Sequence, residues 1–300
     1  MTAILAFDTG AERCTVALSA GGRVLEEAHP TGAGRPAASA ILLPSIHRLM
    51  QGAGLAFADL DAIAFASGPG AFTGLRTAAA VAQGLALGAA RPVLPIGSLL
   101  AVAESARATR DRSGSLDVWA LLDARMGEVY AAHLRHDGAG WQVRERPWLA
   151  TPAALADRWE AARPSALAGS GVAVLGDRLP RGVELHPDAA PDARSVLVLA
   201  LAAWRRGEAV DAALALPLYV RDKVAETEVE RAAARAAKAA RAATAVATAA
   251  DAATAADAAT AADAATAATG ATAADAADAG LAPVRAEAVP ADALAPGAAA

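Results

Sequence analysis

The sequence predicts an α/β fold followed by a low-complexity tail. Short apolar segments of strand length alternate with helical segments up to residue 108, and the alternation resumes at residue 117. The polar stretch 110–115 separates the two runs, and beyond about residue 232 the composition is almost wholly Ala, Thr and Asp. We therefore expect three regions: an N-terminal α/β domain over 1–109, a C-terminal α/β domain over 110–226 and a tail over 227–300.

The first domain opens with three strands, predicted over 3–9, 14–19 and 23–28. Gly21 and Gly22 form a tight hairpin turn between the second and third strands. A helix is expected over 37–54, where Pro44 indicates a kink or a start nearer Ser45. The rest of the domain alternates strand and helix, with strands over 61–67 and 92–97 and helices over 75–89 and 98–108.

The second domain is predicted to begin with strands 117–124 and 128–135 around a turn at 125–127. A helix over 151–162 opens with Thr151 and Pro152, which is a helix-start signal. Three further segments are predicted: a strand, turn and apolar run over 166–175, a helix over 193–207, and a chain end leaving the fold over 216–226. The tail that follows has no fixed polar face, so we expect it to be disordered or transiently helical.

The composition limits the function classes. Net charge is −5 and only two of the 27 basic residues are lysines, so no lysine-rich segment typical of nucleic-acid binding is present. Cys14 is the only cysteine, which excludes an internal disulfide, and its apolar strand favours a small core residue. The longest strongly apolar run, 196–204, is too short to span a bilayer, and the N-terminus lacks the basic region of a signal peptide. We expect a cytoplasmic protein without a membrane partner.

Two loops have the composition of ligand-binding loops. In the first, Asp8, Thr9 and Gly10 follow a strand, and such a loop presents a carboxylate and backbone N–H groups to a phosphate and its metal. The alternative is an ordinary hairpin in which Asp8 and Thr9 hydrogen-bond the turn. These three residues are the only cofactor-binding candidates, and they do not by themselves predict a cofactor.

The second loop, "FASGPGAFTGLR" over 65–76, leads from a strand into a helix. Helix N-termini attract anions, and Thr73 is placed to cap this helix. Arg76 lies in the predicted first turn, where a cation opposes the helix dipole at a cost of about 0.3–1 kcal/mol. A nearby anion, carboxylate or partner surface would offset that cost; the alternative is that Arg76 points to solvent.

Four stretches together resemble the bacterial TsaB (YeaZ) family. They are "ILAFDTGAERCTVAL", "FASGPGAFTGLRTAAAVAQGLALG", "LLDARMGEVYAA" and "PLYVRDKVAE", and they span residues 3 to 226. The resemblance implies two ribonuclease-H-like domains, the fold of actin, Hsp70 and sugar kinases. It implies a role in making threonylcarbamoyladenosine in tRNAs that read codons beginning with A. The tail lies outside the resemblance.

The resemblance also implies partners. Members of this family look like degenerate copies of TsaD, the catalytic subunit, and pair with it as a heterodimer, while the ATPase TsaE completes the complex. Contact with tRNA is then indirect, through the complex, and a homodimer of the free chain remains open. The family was long labelled glycoprotease because of its similarity to TsaD.

No catalytic or metal-binding residues are predicted. TsaD resembles a metal enzyme with two histidines in an H-x-x-x-H arrangement on its first long helix, and that spacing puts both imidazoles on one face. The corresponding segment 37–54 contains only His47. The other histidines form no such pair: His29, His133, His136 and His186. We therefore expect a non-catalytic partner subunit; the alternative is a stand-alone ATPase or kinase that uses Asp8 and the glycine loop.

The helix 75–89 is the predicted partner surface. Gly84 and Gly88 are four positions apart and so share a face, and each costs about 1 kcal/mol relative to alanine inside a helix. Another backbone is therefore expected to approach closely, either a partner helix or the domain's own sheet. The predicted partner-binding residues are Arg76, Thr77, Ala80, Val81, Gly84 and Gly88, with His47 on the helix 37–54.

Overall fold

The structure is a computed structural model that describes residues 2–110 and 114–221. It is a mixed α/β fold with two five-stranded sheets, so the predicted fold class is confirmed. The predicted tail, 227–300, lies outside the described residues. The boundaries at 109/110 and 226/227 stay predictions. Within the described residues, no helix has both the length and the apolar character needed to cross a membrane.

The first sheet has the strand order β3-β2-β1-β4-β5. The first three strands pair antiparallel, and β4 and β5 add in parallel to β1. The register places Asp8, the last residue of β1, opposite Thr15 of β2. The strands are β1 (Ile4–Asp8), β2 (Arg13–Ala20), β3 (Arg23–Pro30), β4 (Ala62–Gly68) and β5 (Val93–Gly97).

The second sheet repeats this topology. Its order is β10-β9-β6-β7-β8, so β6 takes the place of β1, and the directions of pairing are the same as in the first sheet. The strands are β6 (Leu116–Arg125), β7 (Glu128–His136), β8 (Trp141–Ala150), β9 (Ala166–Ala168) and β10 (Glu184–His186). The described chain is therefore built from two copies of one strand arrangement.

The described residues form five α-helices, which cover the sheets: α1 (Ala38–Ala53), α2 (Phe72–Ala89), α3 (Ser98–Thr109), α4 (Pro152–Ala161) and α5 (Ala193–Arg205). Alternate residues of β1 face opposite sides of their sheet. Leu5 and Phe7 pack in the core formed with α1 and α2, while Ile4 and Ala6 pack in the core formed with α5. The first sheet is therefore covered on both faces, which explains why its central strands are continuously apolar.

The last helix of each half packs against the opposite sheet. Helix α3 follows the first sheet in sequence, but Leu99 and Val102 lie in a core cluster with Val118 of β6. Helix α5 follows the second sheet, and Val196 lies in a core cluster with Ile4 of β1. The two halves are thus joined by a reciprocal exchange of helices.

Helix α2 differs from its sequence prediction at its start. It begins at Phe72 after Ala71, and no side chain caps it. The prediction that Thr73 caps this helix is therefore wrong, because Thr73 is already its second residue. Arg76 is its fifth residue, so it lies beyond the first turn, where the opposition of the dipole is weaker.

Other segments also differ from their predictions. Strands β8 and β10 are not predicted by the sequence; both are edge strands, and β8 contains Pro147. Helix α1 begins at Ala38 and includes Pro44, so a start nearer Ser45 is not observed. The described part of the predicted chain end, residues 216–221, does not leave the fold. We call it the exit segment, and its Leu218 N–H donates to Ser67 O at 2.7 Å.

Candidate functional site

The two glycine-containing loops pack directly against each other. Thr9 Oγ1 donates to Gly74 O at 2.7 Å, and Ala71 N–H donates to Gly10 O at 3.0 Å. A Cβ atom on Gly74 would lie 1.9 Å from Thr9 O, so no other residue fits there without moving the backbone. Thr9 and Gly10 therefore fix the start of α2 to the end of β1.

Asp8 is fully buried, and only one of its two carboxylate oxygens accepts a hydrogen bond from a described residue. Its Oδ1 accepts the Gly10 N–H at 3.1 Å, whereas its Oδ2 has no hydrogen-bond partner among the described residues. Burial raises the pKa of Asp8 to about 7, and the nearby carboxylate of Asp192 adds to this rise, although backbone N–H groups of the loop oppose it. Of the buried carboxylate oxygens in the described chain, this is the one without a partner.

Asp8 lies at the side of a cleft between the two halves, with a volume of about 1300 Å³. The first half contributes Gly10, Arg13 and Thr15 to its lining, and the second half contributes Asp123 and Asp192. Both carboxylate oxygens of Asp192 accept hydrogen bonds, from Ser195 N–H at 2.7 Å and from Ser105 Oγ at 3.2 Å. The cleft therefore has the size of a small-molecule site, but its walls carry mixed charge.

Asp123 is the counterpart of Asp8 in the second half, because it lies near the end of β6 as Asp8 does in β1. Its Oδ1 accepts the Arg125 N–H at 2.7 Å, and its Oδ2 is 3.2 Å from Arg125 Nη1. Its side chain is 30% exposed. Asp123 is thus partly exposed and paired with a cation, whereas Asp8 is fully buried and has no cationic partner among the described residues.

The histidines and the cysteine lie apart from this cleft. His29 pairs with Glu27 at 3.0 Å, and His133 pairs with Asp117 at 2.6 Å. Cys14 lies in the core as predicted, and burial raises the pKa of its thiol to about 12. In the parts of the chain that the structure describes, no three His, Cys, Asp or Glu side chains are grouped to hold a metal ion.

The outer face of α2, defined here as Ala80, Gly84 and Gly88, is exposed. A Cβ atom built on either glycine would have no atom within 4 Å. The domain's own sheet therefore does not approach these glycines, which removes the intramolecular explanation for them. The half-buried Thr77 and Val81 border this face on the same helix. His47 is exposed on α1, which contacts α2.

Arg76 makes contacts that the sequence does not reveal. Its guanidinium carbon lies 3.8 Å from the centre of the Phe72 ring, and its Nε–H donates to Tyr219 Oη at 3.0 Å. The rings of Phe72 and Tyr219 are 5.6 Å apart. We call this trio the Arg76 hook. Tyr219 lies in the exit segment, 143 positions from Arg76, and no local sequence signal links the two.

Comparisons with known proteins match a TsaD family model and, over a longer stretch, curated TsaB proteins. The family model "TsaD: tRNA N6-adenosine threonylcarbamoyltransferase" matches residues 28–156. The chain is 33% identical to the tRNA threonylcarbamoyladenosine biosynthesis protein TsaB of Escherichia coli K12, over 74% of this chain and 96% of that protein. It is 32% identical to the TsaB protein of Haemophilus influenzae, over 74% of this chain and 94% of that protein.

A solved structure gives the same result. The structure described as YeaZ from Pseudomonas aeruginosa is 38% identical and matches with a TM-score of 0.65, covering 73% of this chain and all of that one. These relatives are matched over nearly their whole length by about three quarters of this chain. The chain therefore belongs to the TsaB (YeaZ) family of tRNA threonylcarbamoyladenosine biosynthesis proteins.

Proposed function

We propose that this chain is a non-catalytic partner subunit that binds a TsaD-type threonylcarbamoyltransferase. In that role it supports threonylcarbamoyl transfer to adenosine in tRNAs that read codons beginning with A. Its family membership supports a place in this pathway. The match to the TsaD model over residues 28–156, which include α1 and α2, supports a relationship between the two subunits.

The observation that carries the proposal is the outer face of α2. Each interior glycine costs a helix about 1 kcal/mol relative to alanine. Gly84 and Gly88 face open space in the described part of the chain, so the fold itself gains nothing from them. A partner helix that packs closely against this face would gain from the missing side chains, because small residues let two backbones approach.

The wider assembly follows from the same proposal. TsaE joins the heterodimer, tRNA contacts the complex rather than this chain alone, and the free chain has the same face available for a homodimer. The protein acts in the cytoplasm, without a cofactor or a metal ion of its own. His47 contributes from α1, beside α2.

The test is Gly84→Leu in the full-length chain, mixed with the TsaD-type subunit from the same organism. We expect the variant to keep its circular dichroism spectrum and to lose the heterodimer peak in size exclusion. Ala153→Leu, which adds a leucine to an exposed position of α4, is the matched control and should still bind. An unfolded Gly84→Leu variant, or one that binds normally, would contradict the assignment of this face.

A second function, a stand-alone ATPase or kinase, has one observation in its favour. The unpartnered Oδ2 of Asp8 lies beside a cleft large enough for a nucleotide. The proposed function predicts no ATP hydrolysis by the purified chain. Hydrolysis by the wild-type chain that is lost in Asp8→Asn would replace the first function with the second.

A further inference from the structure

Arg76 is held by two aromatic residues, and its charge has no ion-pair partner in the described part of the chain. Its guanidinium group stacks over Phe72, and its Nε–H is bound by the hydroxyl of Tyr219. Among residues 2–110 and 114–221, no carboxylate lies within ion-pairing distance of this group. An arginine fixed in this way has already lost much of the side-chain freedom that binding would otherwise restrict.

Some exposed arginines of the described chain are instead held by a carboxylate of the same chain. Several pair with a glutamate at 3.2 Å or less: Arg48 with Glu27, Arg158 with Glu145, Arg194 with Glu26, and Arg206 with Glu208. Arg76 is instead held by two aromatic residues and keeps its terminal nitrogens free of any described acceptor. The described fold thus orients the guanidinium group of Arg76 but places no carboxylate beside it.

We propose that the Arg76 hook receives a carboxylate side chain of the TsaD-type partner. This inference rests on the proposed function and names the polar contact beside the outer face of α2. The two terminal nitrogens of a guanidinium match the two oxygens of a carboxylate in a bidentate pair. Arginine and tyrosine are also enriched among the residues that dominate binding energy at protein interfaces.

The surroundings of Arg76 favour a protein carboxylate over a nucleic-acid phosphate. Arg76 is the only basic residue of α2, and the exposed positions that follow it on the helix are apolar: Ala80, Gly84, Leu87 and Gly88. Nucleic-acid surfaces neutralise several phosphates and therefore carry several cations together.

The arginines that share the cleft with Phe72 and Tyr219 include Arg125 and Arg221, and both of these are paired with carboxylates of the chain. On α2 itself, one oriented cation borders an apolar face, and this arrangement fits a protein interface.

Tyr219 acts as a positioning residue, because it orients Arg76 and does not itself contact the partner. The exit segment that carries it is fixed on both sides of Tyr219. Leu218 N–H donates to Ser67 O at 2.7 Å, and Arg221 Nη2 lies 2.8 Å from Glu128 Oε2. The segment therefore holds the tyrosine hydroxyl where it sets the orientation of the guanidinium.

The experiment measures binding of the full-length chain to the TsaD-type subunit from the same organism, by calorimetry at low and high salt. We expect Arg76→Gln to weaken binding at least tenfold and to reduce its salt dependence. Arg76→Lys should recover only part of this loss, because lysine cannot form the bidentate pair. Tyr219→Phe should weaken binding several-fold in the wild-type background and not at all in the Arg76→Gln background, which a purely structural role would not produce.

Arg144→Gln is the matched control, since it removes the same charge from an exposed position of β8 and should leave binding unchanged. If the wild-type chain does not bind the subunit, both the proposed function and the proposed role of the Arg76 hook are wrong. If Gly84→Leu abolishes binding but Arg76→Gln binds normally, the proposed function is supported and the proposed role of the Arg76 hook is overturned. Loss of only tRNA binding, or of only self-association, in Arg76→Gln would also overturn it.

Discussion

The two halves of the described chain share one strand order but differ after the fourth strand. In the first half, Gly68-Pro69-Gly70 leads from β4 into the 18-residue helix α2. In the second half, Gly169-Ser170-Gly171 leads from β9 into a 3₁₀ segment over Ser170–Arg178, which a kink at Gly176 divides into two short pieces. The same loop pattern therefore introduces a long helix with an exposed face in one half and a short packed segment in the other.

The glycines show what this difference means. A Cβ atom on Gly169 would lie 2.2 Å from Leu121 O, and one on Gly171 would lie 2.8 Å from Leu121 Cβ. In the first half, Gly74 is also confined by neighbouring backbone atoms. A Cβ atom on Gly84 or Gly88, further along α2, would have no described atom within 4 Å. Close packing within the fold explains the first three glycines. It does not explain the last two, which is why they point to a partner.

Gly74→Ala is expected to have the largest effect on the free energy of unfolding. The new Cβ would meet Thr9 O, Thr9 C and Gly10 Cα, all within 3 Å and all backbone atoms. Because backbone cannot move aside as a side chain can, we expect a loss of roughly 4 kcal/mol or more in the free energy of unfolding. Urea denaturation measures this loss, and a variant within about 1 kcal/mol of wild type would refute the packing described for the two loops.

Asp8→Asn tests the contrast between Asp8 and Asp123. The folded pKa of Asp8, about 7, lies above the value of about 3.9 in an unfolded chain. The folded state therefore binds more protons between about pH 4 and pH 7, so this group makes the free energy of unfolding fall as pH rises through that window. Asparagine cannot titrate, so the free energy of unfolding of the variant should lack that fall and exceed that of wild type at pH 8 by on the order of 4 kcal/mol.

Denaturation of both proteins at several values between pH 4.5 and pH 8 measures the difference. The matched control is Asp123→Asn, whose carboxylate is partly exposed and paired with Arg125. Parallel pH curves for wild type and Asp8→Asn would show that Asp8 is not isolated from water in solution.

Gly171→Ala should have an intermediate effect. Its Cβ would lie 2.8 Å from Leu121 Cβ and 2.9 Å from Leu121 C, a shallower overlap than the 1.9 Å at Gly74. We therefore expect a loss of about 1–3 kcal/mol in the free energy of unfolding. Thermal denaturation measures this loss as a lower melting temperature. A neutral result would mean that the 3₁₀ segment moves away from β6 easily, and the contrast between the halves would then be weaker than described.

Gly84→Ala should have the smallest effect and the opposite sign. The position is exposed and open, so alanine should raise the free energy of unfolding by up to about 1 kcal/mol through its better helix propensity. Gly88→Ala should gain less, because Gly88 lies in the last turn. A lower melting temperature for Gly84→Ala would show that the outer face of α2 is internal after all.

The sequence predicted those elements whose local pattern decides their structure. The strands of the first sheet and helices α1 to α5 are marked by apolar periodicity, and Thr151 caps α4 as expected. Strand β8 was missed because charged residues and Pro147 interrupt its pattern, which only an edge strand tolerates. Thr73 has the right residue type for a cap, but the helix starts one residue before it.

The site was predicted only in part, for a similar reason. The positions of Gly84 and Gly88 on one helix face follow from their spacing, and the structure adds that this face is open. The contacts of Arg76 with Tyr219, and the isolation of Asp8 Oδ2, depend on residues far apart in the sequence. Pairings of this kind are set by the tertiary fold, and no local pattern reports them.

The exchange of helices between the sheets also affects synthesis of the protein on the ribosome. The face of β1 and β4 that includes Ile4 and Ala64 is covered by α5, which is translated long after those strands. At 5–20 residues per second, the nascent chain exposes that apolar face for roughly ten seconds. The first half therefore cannot complete its core during its own translation, and this interval is when chaperones are needed most.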